Sequence, residues 1–208
     1  QTYGVSARSD IALLRLANAA PISGSIGISG AVQTIALAQP GQPAFTAPDR
    51  FGMVTGWGSR SDEFPDYPER LHQVTVPLVD NALCNDAYNN LGYDNAIDET
   101  MICAGYTEGG KDSCYGDSGG PLMVKDGAGG WLQVGIVSSG EGCALPDAYG
   151  IYARVPVFID WIYGDGGNTF VNNRVTVSDA QDHAATIAYA ILATVIRPPA
   201  LDSAEASE

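Results

Sequence analysis

The sequence predicts an all-β fold of many short strands, and three observations carry that reading. Val, Ile, Thr and Tyr recur in short runs between turn residues, glycine occupies 25 of 208 positions, and Leu71–Val79 alternates with a period of two. With 45% hydrophobic residues the chain can fill one large or two small domains. Its formal net charge of -14 argues against nucleic acid, whose phosphates demand a basic surface. The acidic balance serves solubility and attracts cationic substrates. Four cysteines without a CxxC pair suit two disulfides better than a metal site, and they point to an oxidising compartment. Neither a metal nor a cofactor is expected. The chain opens on Gln with no leader-like stretch, so Gln1 is not expected to be the start of the gene product.

Asp10 leads straight into the largely apolar run Ile11–Leu16, which by itself reads as a turn aspartate before a buried strand. Val32–Leu37 is the next expected strand, and the proline- and glycine-rich residues 39–51 form a surface connection. In Met53-Val54-Thr55-Gly56-Trp57-Gly58 the two glycines imply a close backbone approach, or simply a buried tryptophan at a strand end. Residues 59–70 are polar and acidic with two prolines, hence a loop. Leu71–Val79 then reads as a half-buried strand on which His72 shares a face with Val74 and Val76, as a packed or partly exposed residue. Cys84 begins a short polar helical segment, and Cys103 sits in Met101-Ile102-Cys103-Ala104-Gly105.

The stretch with the most chemical content is Gly116-Asp117-Ser118-Gly119-Gly120-Pro121. A serine among glycines leaves its hydroxyl open to a substrate backbone, and glycine permits the positive φ that aims consecutive N–H groups at one spot. Preformed donors of that kind stabilise charge developing in a transition state. Asp112, six residues earlier, reads on its own as a solvated loop carboxylate. Pro121-Leu122-Met123-Val124 reads as a strand. Further on, Gly166-Gly167-Asn168 resembles a linker, and Ser178 with Gln181 offers a capping box for a helix reaching about Ile196. The apolar run 184–196 is shorter than the roughly 20 residues that span a bilayer. A packed amphipathic helix is therefore expected, with envelope anchoring as the alternative. His183 begins that stretch as a solvated residue, and the acidic tail from Arg197 is expected to be disordered.

The longer string Lys111-Asp112-Ser113-Cys114-Tyr115-Gly116-Asp117-Ser118-Gly119-Gly120-Pro121 resembles the active-site segment of trypsin-like serine proteases of the chymotrypsin fold. The run from Asp10 to Leu16, Met53–Gly58, Met101–Gly105, Val137–Gly140, Gly150–Tyr152 and Val155–Ile162 extend the resemblance from about Ser9 to Tyr163. It implies antiparallel β-barrels, the second nearly complete and the first partial, in a domain over 1–164 that ends on a short helix. Residues 165–208 then form an extension with one helix and a disordered end.

The same resemblance implies roles for individual residues. Ser118 becomes the nucleophile, Asp10 the carboxylate that orients the catalytic histidine, and Gly116 and Ser118 the oxyanion-hole donors. Asp112 would lie at the base of the primary specificity pocket, with Ser138, Gly140 and Gly150 as walls, which implies cleavage after Arg or Lys. Ser139 departs from the family, which usually has an aromatic residue there. Four cysteines allow three pairings, and the resemblance selects Cys84–Cys103 and Cys114–Cys143. Many relatives also bridge the positions matching Gly52 and Val124, neither of which is cysteine here. Asp117 would pair with an α-amino terminus released by zymogen cleavage. The implied partners are proteins or peptides with Arg or Lys at the cleaved position, and proteinaceous inhibitors, with no nucleic acid and no transmembrane span. The implied location is extracellular or periplasmic.

One member of the constellation is missing. A serine hydroxyl is a weak nucleophile until a base takes its proton, and the family carries that histidine in an A-A-H-C motif well ahead of the aspartate. No such motif precedes Asp10 here. Two accounts follow: a fragment of an active protease, inactive alone, or a pseudoprotease that only binds. Retention of Asp10, Asp112, Ser118 and the glycines favours the first. An α/β-hydrolase elbow, with Asp160 and His183 following Ser118, requires a helix directly after the serine, where a strand is expected. The subtilisin-like order Asp10, His72, Ser118 lacks a helix-borne serine.

Overall fold

The computed structural model describes residues 8–15, 34–164 and 189–192. Nine strands are present among them: β1 (Ala12–Arg15), β2 (Ala36–Leu37), β3 (Phe51–Gly56), β4 (His72–Val79), β5 (Met101–Ala104), β6 (Pro121–Lys125), β7 (Trp131–Ser139), β8 (Gly150–Arg154) and β9 (Tyr189–Leu192). Two α-helices accompany them, α1 (Asn81–Asn90) and α2 (Ile159–Tyr163), the second preceded by a 3-10 turn over Val155–Phe158. Strands run in the order β2-β7-β6-β3-β4-β5-β8, and β7 also pairs with β8. Strands β3 to β8 thus close a six-stranded antiparallel barrel, with β2 added parallel to β7. This is the chymotrypsin-like architecture expected from the sequence. Strands β1 and β9 form a separate antiparallel pair.

Alternation along the strands sorts side chains between three cores. Val54, Val76, Leu78, Leu122, Val124, Val134 and Tyr152 fill the barrel. Strand β5 is buried on both faces: Ile102 and Ala104 point into the barrel, while Met101 and Cys103 pack outward under α1 with Tyr88 and Tyr149. Asp80 caps α1 by accepting from the Ala82 N–H at 2.8 Å, which satisfies one of the donors a helix start leaves open. A disulfide, Cys84–Cys103, fastens α1 to β5. Ile11 and Leu13, on one face of the β1 segment, pack against the third cluster, which includes Ile136, Phe158, Ile159 and Ile162.

Several expectations are refined by the structure. The strand expected over Val32–Leu37 is confined, among the described residues, to Ala36–Leu37. Gly52 and Val124, the positions without the third bridge, are direct cross-strand partners. His72 is exposed at the start of β4, opposite Gly56. The helix expected from Ser178 to about Ile196 is corrected where residues are described: Tyr189–Leu192 is a strand. Pairing with β1 gives these residues a ladder, and tertiary pairing overrides a local helical pattern. Ser178, Gln181, His183 and the tail from Arg197 lie outside the described residues.

Leu122 is fully buried, and a Cβ added at either Gly52 or Gly135 would meet its side chain at 2.7 and 3.2 Å. Two glycine neighbours have no side chains with which to collapse into a void. Leu122→Ala is therefore expected to cost the upper half of the ~2–5 kcal/mol typical of such truncations. Half-buried Met123→Ala should cost clearly less. Urea denaturation of both variants checks the order, and equal losses would contradict the packing described.

Candidate active site

The loop from Asp112 to Gly120, between β5 and β6, is held from several directions. Its disulfide, Cys114–Cys143, joins it to the loop after β7, so both cysteine pairs fall as expected. Tyr115 O accepts from Ser59 N at 2.7 Å, and Asp117 N donates to Cys114 O at 2.9 Å. Gly119 N donates to Val137 O at 2.9 Å, and Val137 N returns a bond to Gly120 O at 2.9 Å. Ser118 is thereby tied directly beside the end of β7, half-buried, with no side chain among the described residues bonded to its hydroxyl.

Asp117 explains the glycines on either side of Trp57. Its Oδ1 accepts from Gly58 N at 2.8 Å and its Oδ2 from Cys114 N at 3.0 Å. A Cβ on Gly56 or Gly58 would lie 2.0 or 2.4 Å from that carboxylate. The close approach visible in the sequence is therefore a side chain 59 residues away. Trp57 itself is exposed.

The backbone around Ser118 leaves two donors uncommitted. Asp117, Gly119 and Gly120 all donate to backbone carbonyls, whereas the N–H groups of Gly116 and Ser118 meet no acceptor among the described residues. Gly116 has φ +94° and Gly119 φ +83°, a region that penalises any Cβ. The Tyr67 ring covers Gly116, with Cε1 3.2 Å from where a Cβ would stand. Nothing in the sequence signalled that contact.

Asp10 reaches the end of β7 that also anchors this loop. It is 6% exposed, and Ser138 Oγ donates to its Oδ2 at 2.6 Å, across 128 residues of sequence. Since Val137 pairs with Gly119 and Gly120, the Asp10 carboxylate reaches the residue next to the Ser118 anchor. Ser138 is aimed there by a break in the β7–β8 register between Val137 and Ser139; extra strand residues of this kind redirect side chains at barrel rims. Ser9 precedes Asp10 at φ +57° and its carbonyl accepts from Ile11 N at 2.9 Å, a tight turn that fixes the carboxylate's direction. Arg8 holds the same segment from the other side through an ion pair to Asp98 at 3.3 Å.

Asp112 is half-buried rather than fully solvated. Its Oδ1 accepts from Ser113 N at 2.8 Å and its Oδ2 from Ala144 N at 3.1 Å. Gly150 forms the facing wall: a Cβ there would stand 2.8 Å from Asp112 Oδ1 and 3.1 Å from the Tyr152 ring. Gly140 is open, with nothing closer than 3.7 Å to a Cβ position. Burial pushes the Asp112 carboxyl up to about 6, aided by the Asp117 charge and opposed by the two backbone bonds. Burial, and then the Asp112 charge, also raises the Tyr152 phenol, which shares a 3.1 Å hydrogen bond with Ser113. Ser139 Oγ is buried without a hydrogen-bond partner among the described residues. No cluster of three His, Cys, Asp or Glu suited to a metal is present among those residues, and no helix there is long and apolar enough to cross a membrane.

The Trypsin family model matches residues 1–162. Trypsin-1 of Astacus astacus is 48% identical over 153 residues, which cover 74% of this chain and 58% of that protein. Transmembrane protease serine 5 of Homo sapiens is 38% identical over 154 residues, 74% of this chain and 31% of that protein. The chain thus spans little more than half of the first relative and about a third of the second. Strand β9 lies beyond the matched region. A match over more than three quarters of the sequence, on a closed barrel of the expected kind, establishes that this chain belongs to the trypsin family of serine proteases.

Proposed function

We propose that the chain carries the aspartate and serine of a serine endopeptidase that cleaves after Arg or Lys, and that its histidine comes from polypeptide outside these 208 residues. The observation that carries the reading is the meeting of Asp10, Ser138 and the Ser118 loop at one end of β7. Ser118 Oγ attacks the scissile carbonyl carbon while the imidazole takes its proton. Asp10 orients that imidazole and balances its charge, and the uncommitted N–H groups of Gly116 and Ser118 receive the oxyanion. The C–N bond breaks as the proton passes to the leaving amine, and water then hydrolyses the acyl-enzyme. His72, exposed at the start of β4, makes no hydrogen bond to Ser118 among the described residues, and this reading does not assign it the role of base. Two disulfides fit secretion or a periplasmic location. Proteinaceous inhibitors that fill the same pocket are the expected regulators.

Asp112, with Ser138, Gly140 and Gly150 around it, is the specificity determinant in this reading. A carboxyl whose pKa is raised by burial favours the folded state fully below its ordinary value near 3.8, and that contribution is lost as pH rises through about 6. A substrate guanidinium offsets the cost of the bare carboxylate. Ser139 in place of an aromatic ring removes packing from the substrate backbone, so affinity rests more heavily on Asp112.

Two measurements test these assignments. Binding of an aryl amidine to the chain, followed by calorimetry, should weaken about tenfold between pH 8 and pH 5 as Asp112 takes up its proton. Asp112→Asn should abolish that dependence and weaken binding at pH 8 by about 2–5 kcal/mol. An amidine affinity indifferent to both would remove the basic preference. Fluorophosphonate labelling of Ser118 should be negligible in the 208-residue chain and rapid in a polypeptide that includes a family-type histidine segment. Serine-dependent turnover by the isolated chain contradicts the proposal, and failure of the extended form to label favours a binding-only pseudoprotease.

A further inference from the structure

The polar loop over residues 59–70 carries no chemistry in its sequence, yet its first half is braced against the Ser118 segment. Ser59 is 5% exposed, and its hydroxyl spends its whole bonding capacity inside the loop. Its Oγ donates to Ser61 O at 2.8 Å and accepts from Asp66 N at 3.0 Å and Ser61 N at 3.2 Å. Arg60 N donates to Asp66 O at 3.0 Å, so the loop returns on itself just before Tyr67. From there the Tyr67 ring and the Gly58 Cα close over Gly116, at 3.2 and 3.4 Å from where a Cβ would stand. Tyr67 is exposed and belongs to no core cluster; its contact with the donor glycine is what its position provides. Tyr115 is tied to the same loop by its hydroxyl, which donates to Asp62 Oδ1 at 3.4 Å.

The peptide between Tyr115 and Gly116 is what these contacts restrain. Its carbonyl accepts from Ser59 N at 2.7 Å. The bond is trans, and in a planar trans peptide the C=O and N–H point in opposite directions. Anchoring the carbonyl on Ser59 therefore turns the Gly116 N–H away from the 59–67 loop. Half a turn of this peptide would set the Gly116 N–H against the Ser59 N–H, donor facing donor. It would also put a carbonyl oxygen where the N–H had been. Gly116, at φ +94°, has no Cβ to oppose that rotation. The glycine that permits the donor's direction does not by itself keep it, so the restraint comes from its neighbours.

We propose that Ser59 and Tyr67 form a peptide lock: they are positioning residues that hold the Tyr115–Gly116 unit with its N–H available to an oxyanion. A backbone donor fixed before the reaction needs no reorganisation in the transition state, whereas a flipped peptide presents a repelling carbonyl. The catalytic consequence rests on the protease reading given above, while the restraint on the peptide does not.

The test compares Ser59→Ala, Tyr67→Ala and Tyr67→Phe with the parent 208-residue chain. The Ser59 amide reports the lock, since its acceptor is the Tyr115 carbonyl. Its hydrogen exchange, followed by NMR, should quicken about tenfold or more in both alanine variants. It should hardly change in Tyr67→Phe, which keeps the ring. The amides of Gly119 and Val137, bonded between the Ser118 loop and β7, should exchange as in the parent, which shows that the loop itself remains folded. In a polypeptide that includes a family-type histidine segment, an arginyl p-nitroanilide supplies a substrate with no residue beyond the cleaved bond. On it Tyr67→Ala should lower kcat about tenfold or more and leave KM nearly unaltered, and Tyr67→Phe should keep the parent rate. Parent-like exchange at Ser59 in both alanine variants overturns the lock, and so does a loss confined to KM, because Tyr67 would then be contacting substrate. If no form hydrolyses the anilide, the protease reading fails, and the exchange result still decides the lock.

Discussion

The hydrogen bond from Ser138 to Asp10 is the constraint on which the site depends. It joins residues 128 apart and terminates a strand whose preceding residue is bonded on both sides to the Ser118 loop. A carboxylate only 6% exposed needs hydrogen-bond donors. Placing that donor at a register break in β7 gives the barrel a way to fix a residue that is not part of it. The fold's rigid component thus positions one catalytic candidate through backbone pairing and the other through a side-chain hydroxyl.

A second carboxylate organises the other half of the site. Asp117 fills the space left by Gly56 and Gly58 and takes one N–H from each of two segments. Its charge also reaches Asp112, where it adds to the effect of burial. The loop therefore holds a half-buried carboxyl that burial disfavours when ionised and that no cation among the described residues pairs. In the proposed reading it is the group that a cationic substrate side chain would meet. The disulfide between Cys114 and Cys143 ties together the two loops whose Ser113 and Ala144 N–H groups bond to Asp112.

Local chemistry was legible in the sequence, and long-range partnership was not. The alternation of Leu71–Val79 predicted β4, the run after Ser118 predicted β6, and Asp112 and Ser118 were picked out by a resemblance carried on one short string. Glycines at 56 and 58 announced a close approach without naming Asp117, because no local pattern encodes a contact over 59 residues. Ser138 was expected as a pocket wall, and its bond to Asp10 depends on a register break that strand propensity does not reveal. The capping-box pattern near Ser178 suggested a helix over the segment containing Tyr189–Leu192. Strand pairing with β1 decided otherwise there, since tertiary pairing outweighs modest helical propensity.

The central claim is that Asp10 and Ser118 share one cleft through the end of β7. The most direct measurement is the set of amide chemical-shift changes produced by Asp10→Asn in uniformly 15N-labelled chain. The account predicts changes that leave residues 8–13 and appear at Val137, Ser138 and Gly119, with Ala144 beside Asp112 little affected. Perturbations confined to residues 8–13 would contradict it.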